Sequence, residues 1–376
     1  MKSLLSDRIR ELEILSILEV AEEATPETTD LTVGEPDLPP DPCVKEGIAE
    51  ALERNLTKYT PDEGIPELRK AIAEDLEQRY GVSYSTDEII ITPGGAGAIF
   101  ASLIALLNEG DKAILQSPWY PGHSRTLNLL RAKVFPLKTY EKGYPIEITI
   151  KDLPSDAKLI LLCSPNNPTG TVLKHEDFEK LLYFAEKNDQ VILVDIAYEA
   201  LTDEGRIPLP IELKGGKTRT VLLGSFSKCY CITGLRIGFI AAPREIAQGA
   251  KKAISTFSFC ANSLTQYGVL NAFKKGNPNF PKLREEFKKR RDIAYQTLAE
   301  GGLNFAKPEG GFFLFPYFGE EIADKERAKR LIKDARVLTV PGYPFFGPDG
   351  RGHLRIALTR SVRELKESLQ RLIKAL

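Results

Sequence analysis

Six short, near-continuous apolar runs punctuate the middle of the chain: EIIIT at 88–92, KAILQS at 112–117, LILLCS at 159–164, VILVD at 191–195, TVLLG at 220–224 and RIGFIAA at 236–242. Apolar runs without alternation belong to strands buried on both faces, and helix-length segments separate these. The pattern predicts an α/β fold, a mostly parallel mixed sheet sandwiched by helices. The stretch 89–108 carries no charge and is nearly long enough to cross a bilayer. Thr92-Pro93-Gly94-Gly95 interrupts it, so it reads as strand, turn and buried helix, with the helix beginning near Ala98.

The flanks carry a different rhythm. Ile9, Leu12, Leu15 and Leu18 keep helical spacing, and 280–298 is a charged helix with Leu283, Phe287 and Ile293 on its apolar side. After GGFFLFP (310–316) and AKRLIKDARVLTVPG (328–342) comes the strand-like HLRIALT (353–359). The final helix opens with a capping box, Ser361 and Glu364, ahead of Leu365, Leu369 and Leu372. Both ends of the chain are assigned to one smaller α+β domain, 1–38 with 283–376, closing over a large domain at 39–282.

Composition narrows the partners. A chain of 376 residues exceeds what one hydrophobic core usually fills. Lys plus Arg total 51 against 52 for Asp plus Glu, which leaves no net positive field for nucleic acid or an anionic membrane. Small molecules are the expected partners. The five cysteines form no CxxC pair, which fits a cytoplasmic protein, and three histidines without HExxH spacing predict no bound metal. The N-terminal segment lacks the uninterrupted apolar core of an export signal.

Chemistry concentrates just after the strands, where ligands bind in open α/β sheets. PGGAG offers the amides of Gly95, Ala96 and Gly97 to an anion such as phosphate, or it is a tight turn. It is no dinucleotide fingerprint, because Phe100 stands where the third glycine belongs. Lys228, in SFSKCY, either snorkels to solvent or sits desolvated as a nucleophile or Schiff-base partner, with Ser225 and Arg236 nearby in sequence. Asp195 ends VILVD and either caps its own loop or pairs with a protonated heteroaromatic nitrogen. Asn167 lies in a turn-prone NNPTG, and Tyr120 is either a stacking surface or a packed aromatic.

Taken together, these residues resemble a fold-type I pyridoxal-phosphate enzyme of the class I and II aminotransferase family, from about Leu31 to about Leu372. SFSKCYCITGLRIGF, NNPTG and HLRIALT carry the resemblance. It implies pyridoxal 5′-phosphate as cofactor, Lys228 as its internal aldimine partner and proton shuttle, and Asp195 on the pyridine nitrogen. It implies Asn167 and Tyr198 on the ring 3-oxygen, Tyr120 stacked on the ring, and phosphate held by Ala96, Gly97, Ser225 and Arg236 in the Gly95 loop. Tyr59 would reach the phosphate of a neighbouring subunit in a homodimer, while Arg355, Gly34 and Asn167 would meet the substrate carboxylate.

The implied reaction moves an amino group from an L-amino acid to a 2-oxo acid such as 2-oxoglutarate. A β-lyase, a decarboxylase or an amino-acid oxidase would share these residues, whereas the retained Lys228 argues against an amino-acid sensor and the broken glycine fingerprint against a nicotinamide dehydrogenase. Departures from the family pattern are DIAYEAL, the alanine within GGAGA, and Cys229 and Cys231, read as small packing residues. Trp119, Phe312, Phe313, Tyr343 and Phe345 are candidates for an apolar side-chain pocket, Arg351 or Arg360 for an acidic one, and Asn262 marks a contribution from the partner subunit.

Overall fold

All six apolar runs form strands, although the run at 236–242 contracts to four residues. The computed structural model describes residues 4–12, 20–346 and 352–376; Leu15, Leu18 and Arg351 lie outside the described residues. In chain order the strands are β1 (Thr29–Asp30), β2 (Ile89–Thr92), β3 (Lys112–Ser117), β4 (Lys133–Lys138), β5 (Tyr140–Glu141), β6 (Tyr144–Pro145) and β7 (Leu159–Cys163). They continue as β8 (Val191–Asp195), β9 (Thr220–Ser225), β10 (Gly238–Ala241), β11 (Phe313–Leu314), β12 (Val337–Leu338), β13 (Val340–Pro341) and β14 (Leu354–Ala357).

The central sheet has the order β2-β10-β9-β8-β7-β3-β4. It is mixed and mostly parallel, since β10 alone runs against its neighbours β2 and β9. Gly238 stands opposite both Thr92 and Ser225. The reversal therefore delivers Arg236, two residues before β10, to the edge where β2 and β9 end. β4 was not anticipated: it carries Pro136 and several exposed positions, and it is tolerated because it forms the outer edge beside β3.

Side chains alternate across the pleat and divide between two cores. Ile89 and Ile91 pack with Leu68, Ile72 and Phe178 on one face, whereas Ile90 packs with Ala98, Ala250 and Ile254 on the other. The helix Gly94–Leu106 starts four residues before the expected position near Ala98. Gly94, at φ +77°, turns the chain out of β2, so the glycine-rich segment is itself the first helical turn.

A further core joins the two ends of the chain. Val20 and Leu31 pack with Phe287, Leu331, Ile356 and Leu369. β1 pairs in parallel with β12, and β14 lies between β11 and β13. The expected capping box is present, with Ser361 accepting from Glu364 N and Glu364 accepting from Ser361 N. The helix Phe280–Glu300 departs from expectation, because Leu283 and Ile293 are only partly buried. Its buried face is Phe287, Ala294 and Leu298 together with Arg290 and Arg291, whose charges find carboxylate and carbonyl partners indoors. Among the described residues, no helix is long and apolar enough to cross a membrane.

Candidate active site

The carboxyl ends of β2, β3, β7, β8 and β9 open into one cavity of about 300 Å³. Gly95, Ala96, Tyr120, Asn167, Asp195 and Tyr198 line it from successive loops. Ser225, Lys228 and Arg236 join them from the β9–β10 connection, and Gly34, Phe313 and Arg355 come from the two ends of the chain. A wider cleft of about 620 Å³ beside Leu38, Tyr230 and Leu283 gathers none of the expected site residues.

One side of the cavity has the geometry of an anion cradle. The first amides of the helix Gly94–Leu106 lack intrahelical acceptors, and the helix dipole adds positive potential there. Ser225 accepts from Ser227 N at 3.3 Å and leaves its hydroxyl proton available. A Cβ on Gly94 would come within 2.6 Å of Arg236 Nη2, and one on Gly95 within 3.1 Å of Ser225 Cβ. Glycine is therefore what lets an arginine, a serine and free amides crowd into one space.

Lys228 follows directly. β9 ends at Ser225, and the short helix Phe226–Cys229 turns the lysine back over the strand edge. Its Nζ donates to Gly34 O at 2.6 Å. Burial, against the attraction of Glu35, lowers its pKa to about 8. The Cys229 and Cys231 thiols face backbone carbonyls of the same turn, Phe226 O and Lys228 O. Burial pushes the Cys229 thiol up and the Cys231 thiol to about 11, so both stay protonated and fill space, as expected.

Asp195 accepts from Ala197 N at 3.0 Å and contacts His123 Nε2 at 2.9 Å, with the imidazole almost wholly buried. Asp195 caps its own loop, since Oδ1 takes the loop amide, while Oδ2 meets the imidazole. Asn167 Nδ2 donates to the Tyr198 hydroxyl at 3.4 Å. Burial holds the Tyr198 phenol well above its ordinary pKa, leaving it a neutral donor.

The other side of the cavity is assembled around Arg355. Its Nη1 donates to Asn167 Oδ1 at 3.1 Å and its Nη2 to Thr32 O at 2.6 Å, while the buried Nε has no hydrogen-bond partner. The guanidinium lies 4.5 Å from the Phe313 ring and 5.1 Å from that of Phe345. Burial lowers its pKa to about 10, which leaves it charged at neutral pH and short of an anion. A carboxylate would supply that charge and the acceptor Nε lacks.

Several candidates lie elsewhere. Gly97 is packed against Pro93, where a Cβ would approach to 2.9 Å, and does not line the cavity. Tyr59 is 85% exposed and stacks on Phe259, beside a separate recess that Asn262 helps line. Phe312 belongs to the core with Phe287, Trp119 Nε1 donates to Pro344 O, and Arg360 Nη1 turns to Thr359 O. Tyr343 begins the short helix that carries Phe345. His123 was missed as a site residue: its signal was its place three residues after Tyr120, on the helix Pro121–Leu129 that follows β3.

The donor set suits a phosphorylated heteroaromatic aldehyde: an anion cradle, a desolvated amine, a buried carboxylate and a neutral phenol share one cavity. Comparison with known proteins agrees in kind. The family model described as aminotransferase class I and II matches residues 26–372. An aspartate aminotransferase of Thermotoga maritima is 31% identical over 379 residues, covering 98% of each chain. The structure of Thermus thermophilus aspartate aminotransferase with maleate superposes with a TM-score of 0.92, at 29% identity and 100% coverage of both chains. That of an aromatic aminotransferase from Pyrococcus horikoshii gives 0.87 at 30% identity, covering 95% of this chain and 98% of that one.

Proposed function

The chain belongs to the class I and II aminotransferase family, and from that premise we propose that it transfers the amino group of an L-amino acid to a 2-oxo acid, 2-oxoglutarate among them, using pyridoxal 5′-phosphate held in the cavity of Lys228. The observation that carries this reading is a buried amine, Lys228, sharing one cavity with Asp195, Arg236 and Arg355, and burial lowers its pKa. When bound, the cofactor supplies an aldehyde that accepts an amine and a protonated ring that withdraws electrons from the substrate Cα.

The residues divide the work. Ser225, Arg236 and the amides of Gly95 and Ala96 would hold the phosphate, and Tyr120 would cover one face of the ring. Asp195 keeps the ring nitrogen protonated, with His123 fixing the orientation of its carboxylate. Asn167 and Tyr198 donate to the ring 3-oxygen. Lys228 Nζ would hold the cofactor's aldehyde and, once free as an amine, would be the base that moves the proton at the substrate Cα. Its depressed pKa keeps a substantial neutral fraction available for this near pH 8. Arg355, with Gly34 beside it, takes the substrate carboxylate in place of Thr32 O.

The same reading divides the chain into 39–282, which carries the cofactor side, and 1–38 with 283–376, which carry Gly34 and Arg355. It also pairs two copies. Tyr59, Phe257 and Phe259 are exposed aromatics on one surface region, suited to burial in a homodimer where Tyr59 completes the partner's phosphate site. Five free thiols go with a reducing cytoplasm.

The deciding experiment follows the visible absorption of the protein reconstituted with pyridoxal 5′-phosphate and titrated with single L-amino acids, no 2-oxo acid being present. Conversion to the pyridoxamine form, reversed by 2-oxoglutarate, is the expected result. Release of pyruvate and ammonia without that conversion would replace transamination by elimination.

A further inference from the structure

The two backbone segments proposed to meet the substrate carboxylate are joined, outside the cavity, by one buried guanidinium. Arg290 lies on the helix Phe280–Glu300 and is 2% exposed. Its Nη1 donates to Asp37 Oδ1 at 2.5 Å and to Leu358 O at 3.1 Å, and its Nη2 to Asp37 Oδ2 at 3.3 Å. Its Nε donates to Glu286 Oε1 at 2.7 Å. Asp37 stands three residues beyond Gly34, and Leu358 three residues beyond Arg355.

The segment before Gly34 is already tied to the strand of Arg355. Ala357 N donates to Leu31 O at 2.7 Å and Thr359 Oγ1 to Val33 O at 2.9 Å, and Arg355 itself donates to Thr32 O. Past Gly34, the Arg290 fork ties Asp37 back to the same strand through Leu358 O. The neighbouring Arg291 serves another region, donating to Leu201 O, Gly311 O and Asp203.

We infer that Arg290 is a positioning residue for the substrate carboxylate: by ligating Asp37 and Leu358 O together, it fixes the separation between the Gly34 segment and Arg355. A bidentate guanidinium–carboxylate pair with a buried guanidinium fixes geometry as well as adding energy, and a displacement near 1 Å at such a site is felt in binding. The inference rests on the proposed reading of Gly34 and Arg355.

The test uses the holoenzyme and the variants Arg290→Gln, Arg290→Lys, Asp37→Asn and Glu286→Gln. It reads KM for the amino acid and the 2-oxo acid, kcat, the cofactor absorption spectrum and the melting temperature. Arg290→Gln is expected to raise both KM values roughly ten- to a hundredfold while kcat changes less and the cofactor spectrum is kept. Asp37→Asn should move KM in the same direction by a smaller factor, and the Arg290→Gln/Asp37→Asn double variant should fall short of the product of the single effects. Arg290→Lys should restore part of the loss.

Glu286→Gln, which alters only the Nε contact, should leave KM unchanged. A lowered melting temperature with unchanged KM in Asp37→Asn would reduce Arg290 to a structural role and overturn the inference, and that variant decides alone if Arg290→Gln does not fold. A KM rise in Glu286→Gln equal to that of Arg290→Gln would overturn it as well. If the unsubstituted enzyme turns over no amino acid, the transaminase reading fails instead.

Discussion

The two sides of the cavity are built differently. The cofactor side rises from the central sheet, where Gly95, Asn167, Asp195 and Ser225 each follow or end a fully packed strand within a few residues. The carboxylate side is assembled across the chain: Arg355 stands on the buried strand β14, while Thr32 and Gly34 come from a segment up to 323 positions away that is tied to it by hydrogen bonds. The first side is held by hydrophobic burial shared across seven strands, and the second joins a packed strand to a loop through directional polar contacts, one of which a ligand can replace. Thr32 O and Gly34 O accept from the two cations, Arg355 and Lys228, that the substrate and cofactor would engage. A rigid cofactor seat thus faces an exchangeable substrate seat.

The sharpest way to break this division is Lys228→Ala. It should lower turnover by at least roughly a thousandfold while the protein still binds the cofactor noncovalently, checked by steady-state rates and by cofactor loss on dialysis. Arg355→Ala attacks the other side. It should raise KM for the amino acid by roughly a hundredfold and leave the cofactor spectrum intact, so unchanged amino-acid affinity would move the carboxylate site elsewhere.

Gly94→Ala asks whether the cradle is as tight as its geometry indicates. With φ +77° and Arg236 in the path of the new methyl, the cofactor dissociation constant should rise about tenfold with little change in KM. The smallest expected effect concerns pH. Because burial lowers the Lys228 pKa to about 8, the neutral amine grows as pH rises through that value. The rate at which the cofactor-free protein takes up pyridoxal 5′-phosphate should therefore climb several-fold, up to roughly tenfold, between pH 7 and pH 9 and then level off. A rate that falls over that interval would contradict a depressed lysine.

The cofactor side was legible in the sequence because its residues announce themselves locally. Asp195 closes an apolar run, Lys228 follows one, and the glycines sit between a strand and a helix. His123 escaped that logic, since its partner Asp195 is 72 positions away and an imidazole in a helix has no pattern of its own. Arg290 and Arg291 escaped it for a related reason. An arginine on a charged helix reads as solvated until the carbonyls that receive it are in place. Gly97 and Phe312 stand in the motifs the site uses, yet they pack against Pro93 and Phe287 and do not line the cavity.

By itself the sequence determined six of the seven strands of the central sheet, the long helix near 280–298, the capping box of the last helix, and the order in which polar loops leave the sheet. These follow from periodicity and turn chemistry, which act over a few residues. Tertiary structure decided that β10 runs backwards, so that Arg236 reaches the glycine turn, and that the two chain ends meet to place Gly34 beside Arg355. Those outcomes depend on which surfaces bury one another across hundreds of positions, and such pairing is settled by the packing of the whole chain rather than by any local spacing.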